Sequence, residues 1–197
     1  DVVFGYAPAG LVAAHGPEAA LVIHNLLFLF TYVLAFVGAW LLARELGAGA
    51  WGGFAAGAAF AYAPWKLEQN GHLHVLSSGG IPLALFMLLR GYRRASRRWI
   101  VGGWLVAAWQ MTLGFTLGLQ FAYLLLVLAA IVGVRWALAG RPPPPAGVLP
   151  ASAAGIAVFA LVAALVAQPF LHVHRQHPEA KMPVEEIAFY SPPPQAF

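Results

Sequence analysis

An all-α fold, a polytopic transmembrane helix bundle of about six spans with interfacial outer-face helices and loops, is what this chain predicts. Three observations lead there. Hydrophobic residues make up 61% of the chain and charged ones only 9%, against roughly 25% charged in soluble domains. Mean hydropathy is +0.75. The few cations are sorted along the chain in a pattern that six crossings explain. The net charge of +4 therefore reflects membrane sidedness and gives no reason to expect a nucleic-acid partner. Cysteine is absent, which excludes disulfides, thiolate metal sites and a cysteine nucleophile.

The elements follow in order. Asp1–Ala14 is moderately apolar, contains Pro8 and is too short to span, so an interfacial helix is expected there. The chain begins at Asp1 without methionine, inside what reads as an ordered segment, and is expected to be a piece of a longer protein. Pro17 and Glu18 suit a first helical turn, and Ala19–Ala43 is a full span closed by Arg44, Glu45 and Gly47. Leu46–Ala63 reaches the roughly 20 residues a crossing needs. Its Gly53 and Gly57 form a small face for a close neighbour, which places this helix inside the bundle. Ile81–Arg90 crosses only if its helix starts near Ser77 or Ser78, and Gly79, Gly80 and Pro82 weaken that start. Trp99–Leu138 is two spans' worth of residues, folding back at the glycines of Thr112–Gly118. Arg141–Pro145 is a stiff linker, and Pro150–Ala167 is the last span. A polar tail follows, with a short surface helix expected at Pro183–Tyr190.

This makes one transmembrane domain over 1–197: an outer interfacial segment (1–18), a helix bundle (19–168) and an outer-face tail (169–197). Six crossings put Arg44, the Arg90–Arg98 cluster, Arg135 and Arg141 on one side, eight of the eleven cations. Lys66, Arg175 and Lys181 fall on the other, with six of the seven acids. The arginine side is then cytoplasmic, and the Lys66–His74 loop and C-terminal tail lie outside.

Polar chemistry concentrates in Ala63–Pro82, A-P-W-K-L-E-Q-N-G-H-L-H-V-L-S-S-G-G-I-P. Two readings of Lys66, Glu68 and His72 stand side by side. Trp65-Lys66 at a helix end is an ordinary interface anchor. Alternatively, Lys66 and His72 join the next helix start, where Ser77, Ser78, Gly79 and Gly80 present free N–H groups, to form a pocket for a phosphate-bearing substrate.

The histidines at His72 and His74, and at His172, His174 and His177, raise a divalent metal as an alternative cofactor. No carboxylate stands at a fixed ligand spacing beside them, so interfacial histidines without metal are the simpler reading. His24, beside Asn25 within a span, reads as a hydrogen-bonded bundle residue. Gln110 and Gln120 are expected to hydrogen-bond between helices. Glu185 and Glu186 complement a tail helix dipole, and Arg175 and Lys181 meet headgroups, Arg175 being also a candidate substrate contact.

Three stretches carry a family resemblance: N-L-L-F-L-F-T-Y-V-L-A-F-V-G-A-W-L-L-A-R-E-L-G (Asn25–Gly47), F-A-Y-A-P-W-K-L-E-Q-N-G-H-L-H-V-L-S-S-G-G-I-P-L (Phe60–Leu83) and V-E-E-I-A-F-Y-S-P (Val184–Pro192). In these the chain resembles bacterial multi-spanning membrane glycosyltransferases of the C-type fold, the group of protein mannosyltransferases and aminoarabinose transferases. The resemblance implies residence in the bacterial inner membrane and transfer of a sugar from a polyprenyl-phosphate carrier to a glycan, lipid or protein acceptor at the outer face. It also implies an acidic base on the first outer loop, of which Asp1 in D-V-V-F-G is what this chain retains. His72 falls where relatives show Gly-His-Leu, whereas His74 is peculiar to this chain. A transporter or non-catalytic lipid-binding scaffold is the competing expectation. Ionisable groups gathered at one surface, away from the bilayer midplane, favour the enzyme.

Overall fold

The computed structural model describes residues 4–12, 16, 18–69, 71–177 and 184–185, and among them stand six helices of 12 residues or more and four shorter helical segments. Among the described residues all regular structure is helical. A 3₁₀ turn, Phe4–Tyr6, leads into α1 (Ala7–Val12), where Pro8 sits harmlessly in the first turn. Then come α2 (Ala19–Glu45), α3 (Ala50–Ala61), α4 (Pro64–Leu67), α5 (Leu73–Leu76), α6 (Gly80–Arg93), α7 (Arg97–Leu113), α8 (Phe115–Leu138) and α9 (Val148–Gln176).

Among the described residues four stretches are long and apolar enough to cross a membrane: α2, Leu73–Arg93, α8 and α9. The expected count of about six is not reached, because α3 has 12 residues and α7 has 17. At about 1.5 Å per residue both fall short of a hydrocarbon layer of roughly 30 Å. Helix α9 corrects a second expectation. It runs through Pro169 to Gln176, well past Ala167, so the first part of the expected tail is helix. The predicted surface helix at Pro183–Tyr190 lies outside the described residues except for Val184 and Glu185.

The fold-back in Trp99–Leu138 occurs at Gly114, inside the predicted glycine stretch, where an extended residue separates α7 from α8. The bundle's spine is α2, α6, α7 and α9, each packed on the next. Its core gathers Ala84, Leu88, Ile100, Trp104, Ala107, Phe121, Val148 and Ala151. Helix α3 does offer Gly53 and Gly57 to α2, where added Cβ atoms would strike Trp40 and the Phe36 carbonyl. Its other face is open, with Trp51 85% exposed. This helix lies at the edge of the bundle, contrary to the expectation of an interior one, because only the side carrying Gly53, Gly57 and Ala61 is buried and packs on α2.

What matters for the site is the break between α5 and α6. Gly79 packs so closely on α2 that a Cβ there would lie 2.6 Å from the Ala35 nitrogen and 2.7 Å from the Leu34 carbonyl carbon. Only a residue without a side chain lets the α6 start reach the middle of α2. Before that contact Lys66, Leu76, Ser77 and Ser78 are drawn inside and buried, while Trp65, Leu67, Glu68 and His72 stay exposed.

Candidate functional site

Drawn inward in this way, Lys66 is 1% exposed and is among the largest fully buried side chains described. Its Nζ donates to the Ser78 hydroxyl at 3.0 Å. The ammonium also lies 5.3 Å from the centre of the Phe60 ring and 5.9 Å from that of Tyr32, within cation–π range. Among the described residues no carboxylate pairs with it. Burial alone pulls its pKa from 10.5 to about 8, since desolvation penalises the charged form.

Ser77, the neighbour of Ser78, faces a different set of partners. The Tyr6 hydroxyl and Ser77 Oγ are 2.8 Å apart, and Ser77 Oγ itself donates to the Leu73 carbonyl at 2.6 Å. Tyr6 therefore donates to Ser77, and its own pKa is raised by burial, with the Ser77 contact opposing. From α7, Gln110 Nε2 donates to the Ser77 carbonyl at 2.7 Å. Gln110 is fully buried, and its Oε1 has no partner among the described residues. Trp109 Nε1 donates to the Gly5 carbonyl at 3.1 Å and so ties the 3₁₀ turn over this group. No side chain caps the start of α6. The result is a buried patch of one cation, three hydroxyls, an amide and a helix start without a side-chain cap.

Of the residues singled out by sequence, the structure brings Lys66 to Ser78, and Ser77, its chain neighbour, turns to Tyr6. Glu68 and His72 do not join them, for both are exposed on the loop. His72 turns toward His74 instead, the rings edge to face at 5.9 Å. Arg175 stands exposed near the end of α9, in an open groove of about 510 Å³ with Gln168 and His172. Asp1, the residue carried over as base, lies outside the described residues.

The metal alternative finds no donor set: no three His, Asp or Glu side chains among the described residues stand close enough to hold an ion. His172 and His174 share one helix, where positions two apart diverge by about 200°. Of the two glutamines expected to hydrogen-bond between helices, Gln110 reaches from α7 to the Ser77 carbonyl beyond α5, a place that was not legible, whereas Gln120 is exposed. Tyr6 and Phe60 gave no signal, being ordinary aromatics in aromatic-rich sequence.

Comparison with protein families, characterised proteins and solved structures returns no match to this chain.

Proposed function

We propose that this is an integral membrane glycosyltransferase, or the membrane core of one, that takes a sugar from a polyprenyl-phosphate carrier at the outer face. The observation that carries the reading is Lys66, buried to 1% exposure with a hydroxyl and two ring faces for partners. An enclosed ammonium without a counter-charge attracts an incoming anion far more strongly than a surface lysine does. In so apolar a chain, the anion is the phosphate of a membrane lipid, which reaches the ammonium when the covering Phe60 or Tyr32 ring turns aside.

The chemistry asks for fixed positive charge where phosphate departs. The acceptor hydroxyl forms the new bond to the anomeric carbon and passes its proton to a base. The carbon–oxygen bond to phosphate breaks, and the carrier phosphate leaves with the electron pair toward Lys66, Ser78 and the start of α6. The base belongs to the segment around Asp1. In this reading α3 and α7, each lengthened by the turns that flank it, complete six crossings, and the Arg90–Arg98 end faces the cytoplasm.

One observation favours the alternative of a lipid-binding scaffold or transporter. Lys66 abuts Tyr32, thirteen residues before Glu45, or about 20 Å along α2. With Glu45 at one boundary of a layer roughly 30 Å thick, the ammonium lies about 10 Å below the other. A single experiment separates the readings. Protein in sealed vesicles is given polyprenyl-phosphate sugar from one side, and binding and sugar transfer are both measured. Binding should fall at least about tenfold in Lys66→Met, the weight of one charged hydrogen bond, while uncharged polyprenol is bound no better by either form. Transfer should require donor on the face opposite the arginines. Binding without transfer supports the scaffold, and unchanged phosphate-dependent binding in Lys66→Met overturns both.

A further inference from the structure

The other end of α6 gathers charge differently. Arg44, Arg90, Arg93, Arg94, Arg97 and Arg98 meet where α2 and α6 end and α7 begins, and Glu45 is the one acid beside them among the described residues. That acid is already taken. Its Oε2 accepts from Arg90 Nη1 at 3.0 Å, its Oε1 lies 3.8 Å from Arg93 Nη1, and Arg93 also donates to its carbonyl. Arg90 is held over Trp99 at 5.1 Å and Phe86 at 5.6 Å, and its buried Nε lacks a partner among the described residues. Arg97 lies against the backbone of Gly147. Arg94 and Arg98 remain exposed.

Two further features make this more than a solvated turn. Arg97 and Arg98 occupy the first turn of α7, the positive end of its dipole, and no acid stands in that turn. Cations there are disfavoured by the helix as well as by one another. Tryptophans also collect at this end: Trp40, Trp51 and Trp136 are 37%, 85% and 46% exposed, and Trp99 is half-buried. Tryptophan settles at the headgroup level of a bilayer, so the arginines stand in the plane of lipid phosphates.

The geometry points to a binding site for the phosphate headgroup of an anionic phospholipid, formed by Arg94 and Arg98 with Arg97 behind them. Positive charge that neither Glu45 nor the α7 dipole can balance is balanced by the leaflet itself. This site is independent of Lys66 and of the reaction proposed there.

The test is native mass spectrometry of the full chain released from nanodiscs of phosphatidylglycerol and phosphatidylcholine in equal amounts. The native protein should retain phosphatidylglycerol selectively. At roughly fivefold per arginine, Arg94→Gln with Arg98→Gln should lower that preference about 25-fold, and Arg94→Lys with Arg98→Lys should keep most of it. Neither pair touches the packed Arg90, Arg93 or Arg97, so folding is preserved, as near-native melting temperatures would verify. Equal retention of both lipids by the native protein overturns the site. So does a glutamine variant as selective as the native chain. Displacement of the lipid by millimolar inorganic phosphate would assign the patch to a soluble anion and overturn the lipid assignment.

Discussion

The two ends of α6 solve the problem of positive charge in opposite ways. At its start a single cation, Lys66, is enclosed with no carboxylate among the described residues, and its pKa is drawn down to about 8. At its end six arginines gather round one glutamate, which pairs only with Arg90 and Arg93, whose side chains are 27% and 51% exposed. Surface arginines stay charged because water and lipid phosphates solvate them. An enclosed lysine has no such help, so its placement is destabilising unless an anion or neutralisation relieves it. The contrast teaches that charge count alone would rank the arginine end first, whereas the energetic anomaly lies with one lysine.

That contrast can be broken most severely at Gly79. Gly79→Val should abolish the monodisperse folded protein in size-exclusion chromatography, because the new side chain would meet the α2 backbone, which cannot turn aside as a side chain can. A folded variant with Lys66 still inaccessible would show that the close approach of α6 to α2 does not bury it. Next in size is Lys66→Met. It should raise thermal stability in detergent at neutral pH by about 1–4 kcal/mol, since an apolar chain of similar length replaces a buried charge, even as it weakens phosphate binding.

The same lysine predicts a pH dependence with a definite sign. Between about 8 and 10.5 the unfolded chain holds a proton that the folded chain has released. Native stability therefore rises with pH across that window and is lowest below it. Melting curves of the native protein should show the rise, and those of Lys66→Met should not. A lysine that stabilises the fold through its charge would give the reverse slope. The smallest effect belongs to the arginine end: Glu45→Gln should cost only about 0.5–1 kcal/mol, as for a partly exposed pair. A loss of several kcal/mol would mean that Glu45 organises that end rather than decorating it.

Much of the fold was legible because apolar length and glycine placement act locally. Long runs became α2, α8 and α9, and the glycines of Thr112–Gly118 produced the break at Gly114. Span counting ran ahead of the helices at α3 and α7, which have 12 and 17 residues because turns take up part of the chain between the charged stretches. The site was only half legible. Lys66, on the short α4, and Ser78, in the break between α5 and α6, are twelve residues apart, and nothing in their spacing says that they meet while Glu68 and His72 stay exposed.

Composition by itself determined a helical membrane protein, and the order of charges along the chain determined that arginines and polar loop occupy opposite ends of one helix. Hydrocarbon allows no unpaired backbone and few charges, so both follow from the residues present. Which polar groups converge, and that Lys66 ends inside, only the tertiary structure decided. The approach of Gly79 to α2 is a contact between segments more than forty residues apart, and no local propensity encodes it.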